Sequence, residues 1–144
     1  MSVRSEMNRG RTFRSGKIGL VLARVIALIV GAFYLASGAW SFLYPSSFYG
    51  TVASFVPYNL HLLHDLGAFQ VGLGLVLVVP VLLKLPLRAP LIAVLAASLL
   101  HVVAHLEDIR LGGHPATDLP ALLLIVVALG IALTVDLRQA AARR

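Results

Sequence analysis

The chain of 144 residues contains no cysteine, so disulfides, thiolate metal ligands and cysteine nucleophiles are all excluded. Charge is also scarce, because Asp, Glu, Lys and Arg make up only 12% of the residues, whereas soluble domains approach about a quarter. The sequence has no Gly-rich phosphate loop, no nucleophile elbow and no metalloprotease helix motif. No catalytic residue is therefore predicted, and the sequence does not decide whether the protein is an enzyme.

Apolar residues are abundant, at 59% of the chain with a mean hydropathy of +0.92. They concentrate in four blocks at 25–43, 61–83, 91–106 and 119–137. These blocks have about the length that crosses a hydrocarbon core roughly 30 Å thick. The predicted fold class is therefore an all-α membrane protein, with one four-helix transmembrane bundle over 18–138.

Basic residues flank these blocks unevenly. Residues 1–17 are predicted to form a disordered basic cytoplasmic tail, and 139–144 form a second basic tail. The turn at 84–90 is also basic, whereas the other two loops carry only Arg110. The positive-inside rule then places both termini in the cytoplasm, for a multi-pass protein of the cytoplasmic (inner) membrane. The net charge of +6 is better explained by anionic lipids at the tails than by nucleic acid.

The segment 46–59 is uncharged but rich in aromatic residues, and it follows Pro45, which is predicted to end the first helix. Because this loop is so apolar, we expect it to fold over the mouth of the bundle. Asp118 is predicted to be the N-cap of the fourth span, with Pro120 in its first turn. His114 and Glu107 are interpreted as ordinary loop residues.

Glycines are expected to mark the packed faces of the first two spans. Gly31 and Gly38 lie seven residues apart on one face of the first span. In the second span the glycines are Gly67, Gly72 and Gly74. Gly72, together with Ala68, is expected to continue the face of His61 and Asp65 and to allow close packing there.

Six polar residues stand near the same end of the second and third spans, where ionisable groups are costly and call for an explanation. In the third span, His101, His105 and Asp108 fall within an arc of roughly 60°. In the second span, His61, His64 and Asp65 cover roughly 100°. Each span thus has a polar edge, formed by its two histidines and its aspartate. We expect these two edges to meet in one pocket at the outer mouth of the bundle.

Several functions fit such a convergence. All six residues could bind zinc, copper or iron, or His64 and His101 could hold a haem b from both faces. The leading hypothesis is thus a metal- or haem-binding membrane protein with a redox or metal-handling role. The first alternative is a non-enzymatic accessory or scaffold subunit of a membrane complex, or a homo-oligomer, in which the cluster is structural. The second is a small proton-coupled transporter that uses the imidazoles as a relay.

Two further polar residues lie within the spans. Ser98 stands one turn before His101 and could donate a hydrogen bond to it, although serine in a membrane helix usually bonds its own backbone. Gln70 faces away from the edge formed by His61 and Asp65 and could bridge to another helix.

The sequence also resembles a family. The run from Gly38 through Trp40, Phe42 and Pro45 to Phe48-Tyr49 is followed by Pro57-Tyr58-Asn59-x-His61-Leu-x-x-Asp65-x-Gly67-Ala68. This pattern is similar to small four-span bacterial membrane proteins of the DoxX-like kind, common in actinobacteria. The resemblance covers about half of the chain and implies a four-helix bundle. The family is tied by name to quinone-linked sulfur oxidation and redox stress, but most members have no established activity, so it implies no particular reaction. His64 is not expected in that motif, so a site that uses it would be particular to this chain.

Overall fold

The computed structural model describes the backbone of residues 3–142 and the side chains of residues 18–142. The helices are α1 (Val3–Leu43), α2 (Pro45–Thr51), α3 (Leu60–Leu82), α4 (Arg88–Glu107) and α5 (Pro115–Ala141). Within the described residues there is no strand, and the single β-bridge joins Phe55 to Gly112. The predicted all-α fold class is therefore confirmed.

Four helices are long and apolar enough to cross a membrane: Ile18–Leu43, Leu60–Leu82, Arg88–Glu107 and Pro115–Ala141. The chain is thus a multi-pass membrane protein with four spans. The tail predicted at 1–17 falls where no side chains are described, although the backbone of α1 begins at Val3. In the C-terminal tail, 143–144 lie outside the described residues.

Two helix starts differ from those expected. Pro45 follows the end of α1 as predicted, but it also begins α2, because proline is well suited to the first helical position. The predicted loop is thus helical up to Thr51. Helix α5 begins at Pro115, so His114 is the N-cap residue and Asp118 lies one turn inside the helix. The Asp118 carboxylate still caps this end, because the His114 backbone N–H donates to its Oδ2 at 2.8 Å.

Helix α1 packs against α3 and α5, and α4 packs mainly against α5. The contact between α3 and α4 is slight, so a gap is left between these two helices. The beginning of the first span, the end of α5 and the α3–α4 turn form one end of the bundle, called here the termini end. The opposite end, called the loop end, contains α2, the segment 52–59 and the segment 108–114.

The contact between α1 and α3 is a backbone contact made by glycines. A Cβ placed on Gly38 would lie 2.7 Å from the carbonyl oxygen of Gly67, and one on Gly74 would lie 2.8 Å from that of Gly31. The expectation that these four glycines lie on packed faces is confirmed. The expectation for Gly72 is wrong, because nothing lies within 4 Å of a Cβ placed there.

The hydrophobic core fills the half of the bundle nearer the termini end. Its largest fully buried side chains are Leu77, Leu91, Leu129 and Val94. Tyr34 lies at the edge of this core that is nearer the loop end. Beyond Tyr34 the helices enclose a cavity instead of a packed interior.

Candidate functional site

A cavity of about 560 Å³ occupies the half of the bundle nearer the loop end. Its walls are mostly apolar, and all five helices contribute to them. The segment 52–59 also lines the cavity through Val52, Ala53, Phe55, Val56, Pro57 and Asn59. The predicted folding of this uncharged segment over the bundle mouth is therefore confirmed.

The floor of the cavity is polar. The Tyr34 hydroxyl lies 2.8 Å from Ser98 Oγ, and Ser98 Oγ donates to the backbone carbonyl of Val94 at 2.7 Å. Ser98 has one hydroxyl hydrogen, so the Tyr34 hydroxyl must be the donor between the two. Ser98 therefore bonds its own backbone, as sequence reasoning allowed, but its second partner is Tyr34 and not His101.

Gln70 contributes the other polar group deep in the cavity. Its side chain is only 8% exposed, and its Oε1 is buried with no hydrogen-bond partner within the described chain. Gln70 lies about 15 Å along α3 from Leu60, and Ser98 lies about 14 Å along α4 from Glu107. The two polar groups are therefore at similar depth.

His101 and His105 form a pair on the wall contributed by α4. Their Nε2 atoms are 3.1 Å apart, and one ring donates its hydrogen to the other. Both residues line the cavity, and both are half-buried. Asp108 and Asp118 line it as well, nearer the loop end. The polar edge predicted on the third span, formed by His101, His105 and Asp108, therefore lines the cavity.

The edge predicted on the second span lies elsewhere. His61 Nε2 is 3.4 Å from Asp65 Oδ2, but the side chains are 87% and 52% exposed. His64 packs its ring against Phe42 of α1, with the ring centroids 5.1 Å apart. None of these three residues lines the cavity. The structure therefore does not bring the six predicted ligands into one pocket.

The reason is the orientation of α3. Its buried residues are Leu63, Gly67, Gln70, Gly74 and Leu77. Close contact with α1 requires the two glycines on this stripe, and that fixes the inward face of the helix. Ala68 is exposed, so the expected close packing along the face of His61 and Asp65 is wrong as well.

A roof joins the two loops over the cavity. Phe55 pairs with Gly112 in the β-bridge, and the Gly113 N–H donates to the carbonyl of Ser54 at 3.4 Å. The Phe55 ring stands edge-on to His105, with centroids 5.8 Å apart. Gly112 has a φ of +134°, a conformation that few other residues adopt.

The cavity reaches the surface of the bundle between α3 and α4. Leu62 and Ala104 both line the cavity, and both are exposed. They belong to α3 and α4, which make only slight contact with each other. Leu62 lies in the first turn of α3 and Ala104 in the last turn of α4, so the opening is at the side of the bundle close to the loop end.

Tyr34 is the site residue that sequence reasoning missed. A single tyrosine in an apolar span carries no spacing signal that links it to Ser98, more than 60 positions away. Gln70 was noticed, but as a bridge between helices. Its position between Gly67 and Gly74 could have indicated that it faces inward. These two glycines are seven residues apart, as are Gly31 and Gly38 in the first span.

Comparison with family models, with curated proteins and with solved structures finds no match to this chain.

Proposed function

We propose that this chain is an integral membrane protein that binds a small lipophilic molecule in the loop-end cavity. The observation that carries the proposal is the cavity itself, about 560 Å³ with mostly apolar walls and a few polar groups at defined depths. Such a composition is typical of small-molecule sites, in which apolar walls give affinity and sparse polar groups fix orientation. The gap between α3 and α4 gives a route from the bilayer.

We place the termini end in the cytoplasm and the cavity at the outer side of the cytoplasmic membrane. Arg24, Lys84, Arg88 and Arg138 support this orientation, because they lie at the termini end, whereas Arg110 is the one Lys or Arg in the described loop-end segments. Basic residues near span ends favour the cytoplasmic side.

The experiment uses a matched pair of substitutions on α4. Ala104→Phe places a ring at the opening of the cavity, whereas Ala96→Phe places the same ring at an exposed position that does not line the cavity. The purified proteins are extracted with organic solvent, and the small molecules released are quantified by mass spectrometry. We expect one lipophilic species to accompany wild type and Ala96→Phe and to be depleted at least several-fold in Ala104→Phe. Identical extracts from all three proteins would refute the proposal.

A second candidate is a metal ion bound by His101 and His105. Two nitrogens that each lie about 2.0–2.1 Å from one ion, at 90–110° to each other, are about 2.8–3.4 Å apart. The observed Nε2–Nε2 distance is 3.1 Å. Among the described residues no group of three or more His, Cys, Asp or Glu side chains is placed to hold an ion. The ion would take its remaining ligands from water or from the molecule in the cavity.

Metal analysis of protein purified with zinc, copper or iron tests this candidate. We expect one ion per chain in wild type and none in His105→Ala, and we expect acid to release the ion because only the neutral imidazole binds it. His61→Ala serves as the control, because His61 is exposed and outside the cavity. Equal metal content in the two variants would exclude the pair as the site.

The geometry supports the haem hypothesis less than it supports a metal ion at His101 and His105. It requires His64 and His101 to face a common space, but His64 packs on Phe42 while His101 lines the cavity. A proton-coupled transporter also has little support. The buried polar residues of the described chain are Ser41, Gln70 and Ser98, so none lies in the core toward the termini end.

A further inference from the structure

We infer that the molecule bound in this cavity is a lipophilic cation, with an apolar body and one positively charged group. The charged group lies at the loop end of the cavity, beside Asp108 and Asp118, and the apolar body extends toward Tyr34 at the floor. This inference rests on the proposed binding function and names the chemical class of its ligand.

The first support is the charge of the cavity lining. Two carboxylates line the cavity, those of Asp108 and Asp118, and no Lys or Arg of the described chain does. Arg110, the one Lys or Arg in the described loop-end segments, is not among the lining residues. A cleft with apolar walls and charge of one sign concentrates ligands of the opposite sign, because the field is weakly screened there. The lining therefore favours a cation.

The two histidines of the lining cannot cancel this charge. The Nε2 atoms of His101 and His105 are 3.1 Å apart, and the hydrogen bond between them requires a lone pair on one of the two rings. At most one imidazole can therefore be protonated while this bond stands. With two carboxylates and at most one imidazolium, the lining keeps at least one net negative charge.

Both carboxylates are available to a ligand. The two ion pairs among the described side chains lie elsewhere, so within this part of the chain neither Asp108 nor Asp118 has a basic partner. Asp118 accepts hydrogen bonds from two neutral groups, the His114 backbone N–H at 2.8 Å and the Thr117 hydroxyl at 3.3 Å, which leave its charge in place. Asp108 is exposed and Asp118 is half-buried, so a group within the cavity can reach them.

The second support is the aromatic lining at the same end. Phe48, Tyr49 and Phe55 line the cavity from α2 and from the segment that follows it. A Cβ placed on Gly113 would lie 2.8 Å from Cζ of Phe55 and 3.3 Å from Oδ2 of Asp118, so this ring and this carboxylate are close neighbours. Aromatic rings attract cations through their π-electrons and are the side chains that recognise quaternary ammonium ligands.

The third support is the position of the opening. Leu62 and Ala104 place it close to the loop end, the same end as the two carboxylates. A cationic amphiphile can therefore enter with its charged group near the membrane surface. It need not carry that charge to the centre of the bilayer, where the cost is highest.

The test compares two probes with the same decyl chain, decyltrimethylammonium and decyldimethylphosphine oxide. Their head groups are similar in size, but only the first carries a net charge. Each is titrated, with a metal chelator present, into protein in nanodiscs of zwitterionic lipid. Partitioning into protein-free nanodiscs is measured separately, so that each affinity refers to the probe concentration in the bilayer. Binding is followed by the emission of Trp40, the sole tryptophan, whose ring packs edge-on against the cavity residue Phe48 at 5.5 Å.

The variant is Asp108→Asn, which removes one charge from the cavity lining. The control is Glu107→Gln, which removes the same charge at the neighbouring residue, an exposed position that does not line the cavity. The control therefore reproduces any change in the surface potential that draws cations to the loop end.

We expect wild type to bind the ammonium probe roughly fivefold or more tightly than the phosphine oxide. Asp108→Asn should weaken ammonium binding by roughly fivefold, as for an incompletely buried charge pair, and leave phosphine oxide binding unchanged. Glu107→Gln should leave both affinities unchanged.

Equal affinity of wild type for the two probes, or equal effects of Asp108→Asn and Glu107→Gln on ammonium binding, would overturn the cationic ligand while binding in the cavity stands. If neither probe binds wild type, or if Ala104→Phe binds both as wild type does, the proposed function fails and this inference with it.

Discussion

The contact between α1 and α3 gives a sharp prediction, because the same substitution should have opposite effects at two positions of one helix. In Gly67→Ala the new Cβ would lie 2.8 Å from the carbonyl oxygen of Gly38 and 2.8 Å from the backbone nitrogen of Phe42. These are backbone atoms, so relief requires the two helices to separate. In Gly72→Ala the new Cβ meets nothing within 4 Å.

The magnitudes follow from two opposing terms. Overpacking lowers the free energy of unfolding by about 1–3 kcal/mol, and replacing glycine by alanine within a helix raises it by up to about 1 kcal/mol. We therefore expect Gly67→Ala to lower the free energy of unfolding by up to about 2 kcal/mol, whereas Gly72→Ala raises it by about 0.5–1 kcal/mol. Reversible unfolding in mixed detergent micelles, followed by Trp40 fluorescence, measures both. Equal effects of the two substitutions would show that α1 and α3 do not meet through their backbones.

Three further predictions concern the site and the two ends of the bundle. Tyr34→Phe should lower the free energy of unfolding by about 1 kcal/mol. Ser98→Ala should lower it by about 1–3 kcal/mol, because it leaves the buried Tyr34 hydroxyl without a partner. The reverse order would contradict the assignment of Tyr34 as the donor. Asp136→Leu should cost only about 1 kcal/mol or less in the same assay, because its partner Arg88 is 42% exposed and water screens the pair; a much larger loss would show that the pair is shielded from water. Phe55→Ala should speed amide hydrogen exchange in the loop after α4 without changing exchange in the core. If exchange in that loop is the same in the variant as in wild type, the contact between Phe55 and Gly112 does not hold the two loops together.

The four spans were predictable from the sequence because their length and apolar content alone satisfy the requirement for crossing a bilayer. The roof was also predictable, since an uncharged aromatic loop gains by covering apolar surface. Helix α2 was not predicted, because its sequence was taken as a loop, and the start of α5 was predicted too late, because Pro115 begins the helix before the apolar run.

The face that each span turns inward could not be predicted in the same way. The spans are apolar on nearly every side, so periodicity does not distinguish the side facing lipid from the side facing protein. Polar residues were therefore taken as the inward side, which was right for His101 and His105 on α4. On α3 it was wrong, because His61 and Asp65 lie in the first turns of the helix, where exposed positions are tolerated. The glycine contact with α1 decided the orientation instead.

The uneven distribution of packed volume has a mechanical consequence. Hydrostatic pressure favours whichever state has the smaller total volume, and a void that can be eliminated is the main source of such a decrease. The half of the bundle around Leu91 and Leu129 is densely filled, whereas the other half holds about 560 Å³ of space. Under compression the loop end should therefore deform more than the termini end, and an occupant that fills the cavity should reduce this difference.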